Sequence, residues 1–141
     1  MTVVVDTGAA LALLDRDARD HPALRSALER RPSEWVLPWA TLPEIDYLAT
    51  TRLGPEAARV FREDVASGQF QVEGLSRTDL QRAVELNRAH ADLNLGLVDA
   101  VVLAIAERLE ARAIATLDLR DFAPVRLRTR PALWPRDLGH S

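Results

Sequence analysis

The sequence predicts an α/β layer fold built on a mainly parallel sheet of four to five strands. Short β-branched or apolar runs alternate with longer segments of helical periodicity. No two of these runs are spaced as a tight hairpin, so the connections must cross over through helices. One helix-length stretch, Leu95–Ala106, is apolar or Gly at every position except Asp99. A helix apolar on nearly all sides is a central one rather than a surface one.

In chain order, Thr2–Val5 forms a first strand ending at Asp6, and Thr7-Gly8 leads into a helix through AALALL, capped by Asp6 or Thr7. Asp15–Asp20 is a charged break. His21-Pro22 opens a second helix with Leu24 and Leu28 four apart, and EWVLP follows as the second strand. Leu42–Leu53 is a helix with Leu42, Ile45, Leu48 and Ala49 on one side. Gly54-Pro55 ends it and starts another, to about Ala66. QFQVEGL is the third strand, and Ser76 with Asp79 makes a capping box for a helix to about Ala91. After the apolar helix, AIATL is the fourth strand and Asp118–Phe122 a short turn or helical piece. Val125–Leu127 is the expected fifth, edge strand, before a tail rich in Pro and containing Trp134.

The 141 residues suit one domain, 1–141, with room for a sizeable core. Apolar content of 48% and charged content of 28% are those of a water-soluble globular chain. No run approaches the roughly 18 apolar residues of a membrane span, and the N-terminus lacks a signal-peptide pattern. Absence of Cys excludes disulfides, thiolate zinc sites and Cys nucleophiles, and fits a cytoplasmic protein. All 18 basic residues are Arg, so no mechanism here can use a catalytic Lys. Between Arg112 and Asp137 six Arg face three Asp, Asp118, Asp121 and Asp137, which makes this tail locally basic if Asp118 holds a cation. Guanidinium groups suit phosphate through their planar fork of donors.

Four carboxylates sit where apolar runs end. Asp6 follows VVV, Glu44 opens the helix after WVLPWATLP, Asp99 opens the apolar helix, and Asp118 follows AIATL. In a parallel sheet, ligands bind beyond the carboxyl ends of the strands, and the helix starts that follow a strand lie on that rim. Each acid has a structural alternative: Asp6 as a helix cap, Glu44 as a first-turn acid, Asp118 as a turn residue. Asp99 is hardest to explain that way, because its neighbours leave it little water. Four acids on one rim repel one another and call for a compensating charge. Hard divalent cations supply it, and the chemistry they permit is phosphodiester hydrolysis.

VVVDTGAALALL, LPEIDYL, LGLVDAVVLAIAERL and IATLDLRDF, in that order and spacing, resemble a PIN-domain ribonuclease of the VapC toxin type over nearly the whole chain. The resemblance implies a three-layer α/β/α fold and a Mg²⁺-dependent endoribonuclease, with Mn²⁺ as a possible substitute. It maps the family's acids onto Asp6, Glu44, Asp99 and Asp118, and its small hydroxyl positions onto Thr7 and Thr116. It further implies a VapB-like antitoxin and a homodimer; the apolar residues of the third and fourth helices are compatible with a dimer face. Which RNA is cut stays open. Asp6, Asp99 and Asp118 are the expected metal ligands. Asp121, three residues past Asp118, could join from the adjoining turn, whereas Asp46 lies about 200° round its helix from Glu44. Arg112 and Arg120 are candidates for substrate phosphate. His21, His90 and His140 lack ligand spacing and receive no role; Trp35 and Trp39 are assigned to the core or a dimer surface.

Other readings are weaker. VVVDTG matches an aspartic protease loop, but that fold is almost wholly β. A phosphorylated receiver domain needs a Lys near its acids, and there is none. A catalytically silent RNA- or partner-binding module is the remaining alternative; the filling of all four acidic positions favours the enzyme.

Overall fold

The computed structural model describes residues 1–139, so His140 lies outside the described residues. Five strands form one sheet: β1 (Val3–Val5), β2 (Trp35–Pro38), β3 (Gln71–Glu73), β4 (Ala113–Ala115) and β5 (Ala132–Trp134). Their spatial order is β3-β2-β1-β4-β5, and all four pairings are parallel. The expected mainly parallel sheet is therefore wholly parallel.

Seven α-helices make the crossovers: α1 (Thr7–Leu14), α2 (His21–Arg30), α3 (Leu42–Leu53), α4 (Pro55–Ala66), α5 (Arg77–Ala89), α6 (Leu97–Arg108) and α7 (Leu119–Phe122). Alternation along the strands divides the core into two layers. Val3, Val5, Ala113, Ala115 and Trp134 pack with residues of α1 to α4, including Leu24, Ile45 and Phe61. Val4, Ile114 and Leu133 point the other way, against Ala83 and Leu86 of α5, α6 and Phe122 of α7. Side chains two apart on a strand share a face, so three-residue strands suffice to hold helices on both sides. The result is the three-layer α/β/α arrangement.

The apolar helix behaves as its sequence dictates. Every residue from Ala100 to Glu107 in α6 is buried. It starts at Leu97 rather than Leu95, after the N-cap Gly96, which places Asp99 in its first turn. The capping box of α5 is complete: Asp79 N–H donates to Ser76 Oγ at 3.1 Å, and Ser76 N–H to Asp79 Oδ2 at 3.0 Å. Gly54, at φ 102°, makes the α3–α4 corner, where a side chain would be strained.

One element departs from expectation. Val125–Leu127 is a loop, and the edge strand is Ala132–Trp134 in the Pro-rich tail. Side chains claim the backbone amides around the rejected segment: Arg126 N–H donates to His90 Nε2 (3.2 Å) and Arg128 N–H to Glu107 Oε2 (2.6 Å). Pro131 and Pro135 flank β5, which is tolerated because an edge strand leaves one side unpaired.

Candidate active site

The strand order reverses at β1, whose two neighbours lead to opposite halves of the sheet. The crevice beyond the carboxyl ends of β1 and β4 is the switch point where such sheets bind ligands. The parallel ladder runs one step past the strands: Asp6 N–H bonds to Ala115 O and Thr116 N–H to Trp134 O, both at 2.9 Å. Asp6 and Thr116 are therefore held by main chain at the crevice. Thr116 Oγ1 donates to Asp6 Oδ2 at 3.1 Å and accepts from Asp118 N–H at 3.1 Å, tying the two strand ends together.

A cavity of about 450 Å³ opens here, lined among others by Asp6, Thr7, Glu44, Arg52, Asp99 and Asp118. All four expected acids thus face one space. Asp121 extends the group: one carboxylate oxygen from each of Asp99, Asp118 and Asp121 lies within 4.8 Å of the others, a set that could hold a metal ion. The expected metal trio of Asp6, Asp99 and Asp118 lines this same cavity, and Asp121, expected as a possible addition, joins two of its members. It is brought there by α7, a single turn that carries Asp121 over Asp118, with Asp121 N–H bonded to Asp118 Oδ1 at 3.1 Å. Asp118 is therefore both a helix cap and a member of the cluster.

Asp6 occupies the N-cap position of α1, yet its side chain makes no capping bond. It is 4% exposed, and its Oδ1 has no hydrogen-bond partner; neither has the adjacent Thr7 Oγ1. Two unpartnered buried oxygens on successive residues, beside a group of acids, suit a cation. Burial pushes the Asp6 carboxyl up to about 6, opposed by the Thr7 amide and Thr116 hydroxyl and reinforced by the charges of Asp118 and Glu44. Asp99 rises further, to about 7, through burial and then the charges of Asp6, Asp118, Asp121 and Glu44. Two carboxyl groups lifted this far in one crevice have the perturbed character that functional sites concentrate.

The arginines divide differently from expectation. Arg112 precedes β4, so it sits at the amino ends of the strands: its N–H bonds to Thr2 O, its guanidinium lies 3.7 Å from Glu34 and stacks over Trp134 at 5.1 Å. It is not brought to the acids. Arg120 is exposed on α7 beside Asp121, without an ion pair among the described residues. Arg52, which sequence reading passed over, lines the cavity itself. Glu44, Leu48 and Arg52 recur every four residues on one face of α3, and that spacing was the signal for it. Asp46 turns away and pairs with Arg62 of α4 at 2.6 Å. His21 Nδ1 lies 2.8 Å from Ala12 O, and His90 serves the loop described above. Trp35 is in the core, whereas Trp39 is 56% exposed.

A parallel α/β/α fold with carboxylates gathered at its switch point defines an acid-rimmed class able to hold a hard cation. The family model of the PIN domain matches residues 3–126, and the chain belongs to that family. It is 28% identical over 124 residues to Ribonuclease VapC26 of Mycobacterium tuberculosis, covering 88% of this chain and 92% of the relative. Among solved structures it resembles VapC20 of the same organism, a sarcin–ricin loop cleaving toxin, with TM-score 0.77 and 22% identity over 92% of this chain and 100% of the other. It also resembles DNA-bound VapBC from Salmonella typhimurium, with TM-score 0.73 and 19% identity over 95% and 98% of the two chains.

Proposed function

We propose that this chain is a metal-dependent endoribonuclease, the toxin of a VapBC-type toxin–antitoxin pair. The observation that carries the reading is the convergence of Asp6, Glu44, Asp99, Asp118 and Asp121 on one crevice, with two buried oxygens left unpaired beside them. The naming of the M. tuberculosis relative as a ribonuclease over most of both chains supports it.

Asp99, Asp118 and Asp121 would hold a divalent cation, Mg²⁺ by preference and Mn²⁺ as a substitute, with Asp6 and Glu44 completing its surroundings. When bound, such an ion would lower the pKa of coordinated water and stabilise charge on phosphate oxygens. Without it, Asp99 carries a proton for much of the time near pH 7, so loading the site releases protons. Thr116 fixes the Asp6 rotamer and the Asp118 backbone together, which keeps the acids in register across two strands. Arg52, at the cavity edge, and Arg120, on α7, are the groups we assign to the substrate phosphate. In-line hydrolysis needs positioning and charge stabilisation more than covalent help, and this set of side chains offers both.

The antitoxin and a homodimer belong to the same proposal. Trp39, Leu42, Pro43, Phe61 and Val65 border an apolar groove between α3 and α4, next to the 67% exposed Tyr47. A protein surface of this kind suits a protein partner. The described residues include no helix long and apolar enough to cross a membrane.

The test is incubation of purified protein with total RNA and Mg²⁺, beside Asp6→Ala and Asp99→Asn. Cleavage by the wild type, abolished by chelator and by each substitution, is the expected outcome. Cleavage undiminished in both variants, or indifferent to chelator, would refute the mechanism; RNA binding without cleavage would favour the silent binding module.

A further inference from the structure

A second cavity, of about 490 Å³, lies on the α5–α7 side of the sheet and runs along β5. Below it lie the buried core residues Leu103 of α6, Ile114 of β4 and Leu133 of β5, and its partly exposed apolar lining is Val125, Leu127 and Pro131. Its edges carry Arg126, Arg130 and Arg136, and no acid lines it. Arg136 is paired with Asp137 at 2.8 Å, whereas the guanidinium groups of Arg126 and Arg130 have no partner among the described residues. Thr129 Oγ1 is buried there without a hydrogen bond. In a chain of net charge −3, a cavity edged only by cations selects an anion.

The cavity is a built one. The segment 123–131, which supplies much of its lining, is tethered by Glu107 on the Arg128 amide and His90 on the Arg126 amide. Glu107 is 7% exposed and is itself fixed by Arg82 Nε at 2.7 Å. Phe122, in its wall, directly follows Asp121 on the single turn of α7, so one helical turn contributes to both the cavity and the acid cluster. The partly exposed apolar lining, cationic edge and spare hydroxyl match, respectively, a base, its phosphates and a sugar or base edge, and the volume is that of an ordinary ligand pocket.

We infer that this cavity docks a nucleotide of the RNA strand flanking the cleaved phosphate, with Arg126 and Arg130 on the backbone and the base against Val125, Leu127 and Pro131. The inference rests on the ribonuclease reading and deepens it. A fluorescent single-stranded RNA 20-mer of mixed sequence, titrated by anisotropy in EDTA at several KCl concentrations, tests it. Each phosphate contact on a single strand contributes about 0.7 to the slope of log Kd against log salt. Arg126→Ala/Arg130→Ala is expected to lower that slope by about 1.4 and to weaken binding by roughly 10-fold or more near 0.1 M salt. Arg16→Ala/Arg19→Ala, with the same charge loss on the turn after α1, leaves the slope unchanged. A 4-thiouridine version of the RNA is expected to crosslink to residues 122–133.

An unchanged slope in the Arg126/Arg130 variant, an equal fall in the Arg16/Arg19 control, or crosslinks only elsewhere would overturn the docking site. Wild-type cleavage of total RNA with Mg²⁺ separates the two readings. Cleavage with an unchanged slope overturns the docking site alone. A lowered slope without cleavage supports the site and overturns the ribonuclease reading.

Discussion

Replacing Asp99 with Asn removes a charge that four other carboxylates oppose, while keeping a side chain of the same shape at the start of α6. In the metal-free protein this substitution is expected to stabilise the fold. A carboxyl lifted from 3.8 to about 7 corresponds at face value to about 4 kcal/mol of opposition to its charged form. Asp99 is partly open to solvent and its neighbours share the strain, so screening reduces this to about 1–2 kcal/mol at pH 8. For a chain of this length that is about 3–6 °C in Tm. The sign follows from proton linkage. Asp6 and Asp99 hold protons more tightly folded than unfolded, so the metal-free protein loses stability as pH rises from about 4 to 7. Glu107 and Asp79 are shifted the opposite way: Arg82 holds Glu107 below its ordinary value, and Asp79 is held down, against its burial, by Arg108 and Ser76. Their contributions are complete above about pH 5 and are lost only on further acidification. Thermal unfolding followed by circular dichroism in EDTA at pH 5 and pH 8, compared between the wild type and Asp99→Asn, therefore reads the site acids, since every other titrating group is common to both proteins. The wild type should melt higher at pH 5, Asp99→Asn should narrow the gap, and Mg²⁺ should raise the wild type more than the variant at pH 8. An Asp99→Asn protein less stable than wild type in EDTA at pH 8 would refute the account of this carboxylate as strained.

Arg52→Ala is expected to reduce kcat/KM for RNA about 10-fold, roughly 1.4 kcal/mol of phosphate interaction, mainly through KM and with partial recovery in Arg52→Lys; unchanged kinetics would leave Arg52 a helix-end residue. Ile105→Ala, at a position with no exposure in the buried α6, should destabilise the fold by about 3 kcal/mol in urea titration. Glu107→Ala removes the clamp on the 123–131 segment and strands part of the Arg82 charge, for a loss of about 2–3 kcal/mol. Limited proteolysis should then cut within 123–131, which the wild type resists.

The carboxylates at Asp6 and Asp118 were legible because strand ends are local events: a β-branched or apolar run stops, and the next side chain stands on the rim. Asp99 was legible because a lone acid in an apolar helix has few structural explanations. Convergence itself was not, since it depends on β1 and β4 being sheet neighbours, a pairing 110 residues apart at Asp6 and Thr116. Arg112 shows the limit of reading charge along a segment. It belongs to a basic tail, but standing one residue before β4 it is carried to the opposite end of the sheet. The edge strand was misplaced for a related reason. VRL and ALW have similar local propensity, and the choice between them is made by His90 and Glu107, each contributed from a distant helix. Arg52 hid behind its ordinary explanation as a cation in the last turn of α3.

In the proposed mechanism one set of acids both holds the cation and enables RNA cleavage. Calorimetric titration of Mn²⁺ into wild type and Asp99→Asn/Asp118→Asn, with cleavage of total RNA measured on the same samples, tests it directly. Binding to the wild type, and loss of binding and cleavage together in the double variant, is the predicted result. Cleavage that survives in a variant no longer binding Mn²⁺ would contradict it.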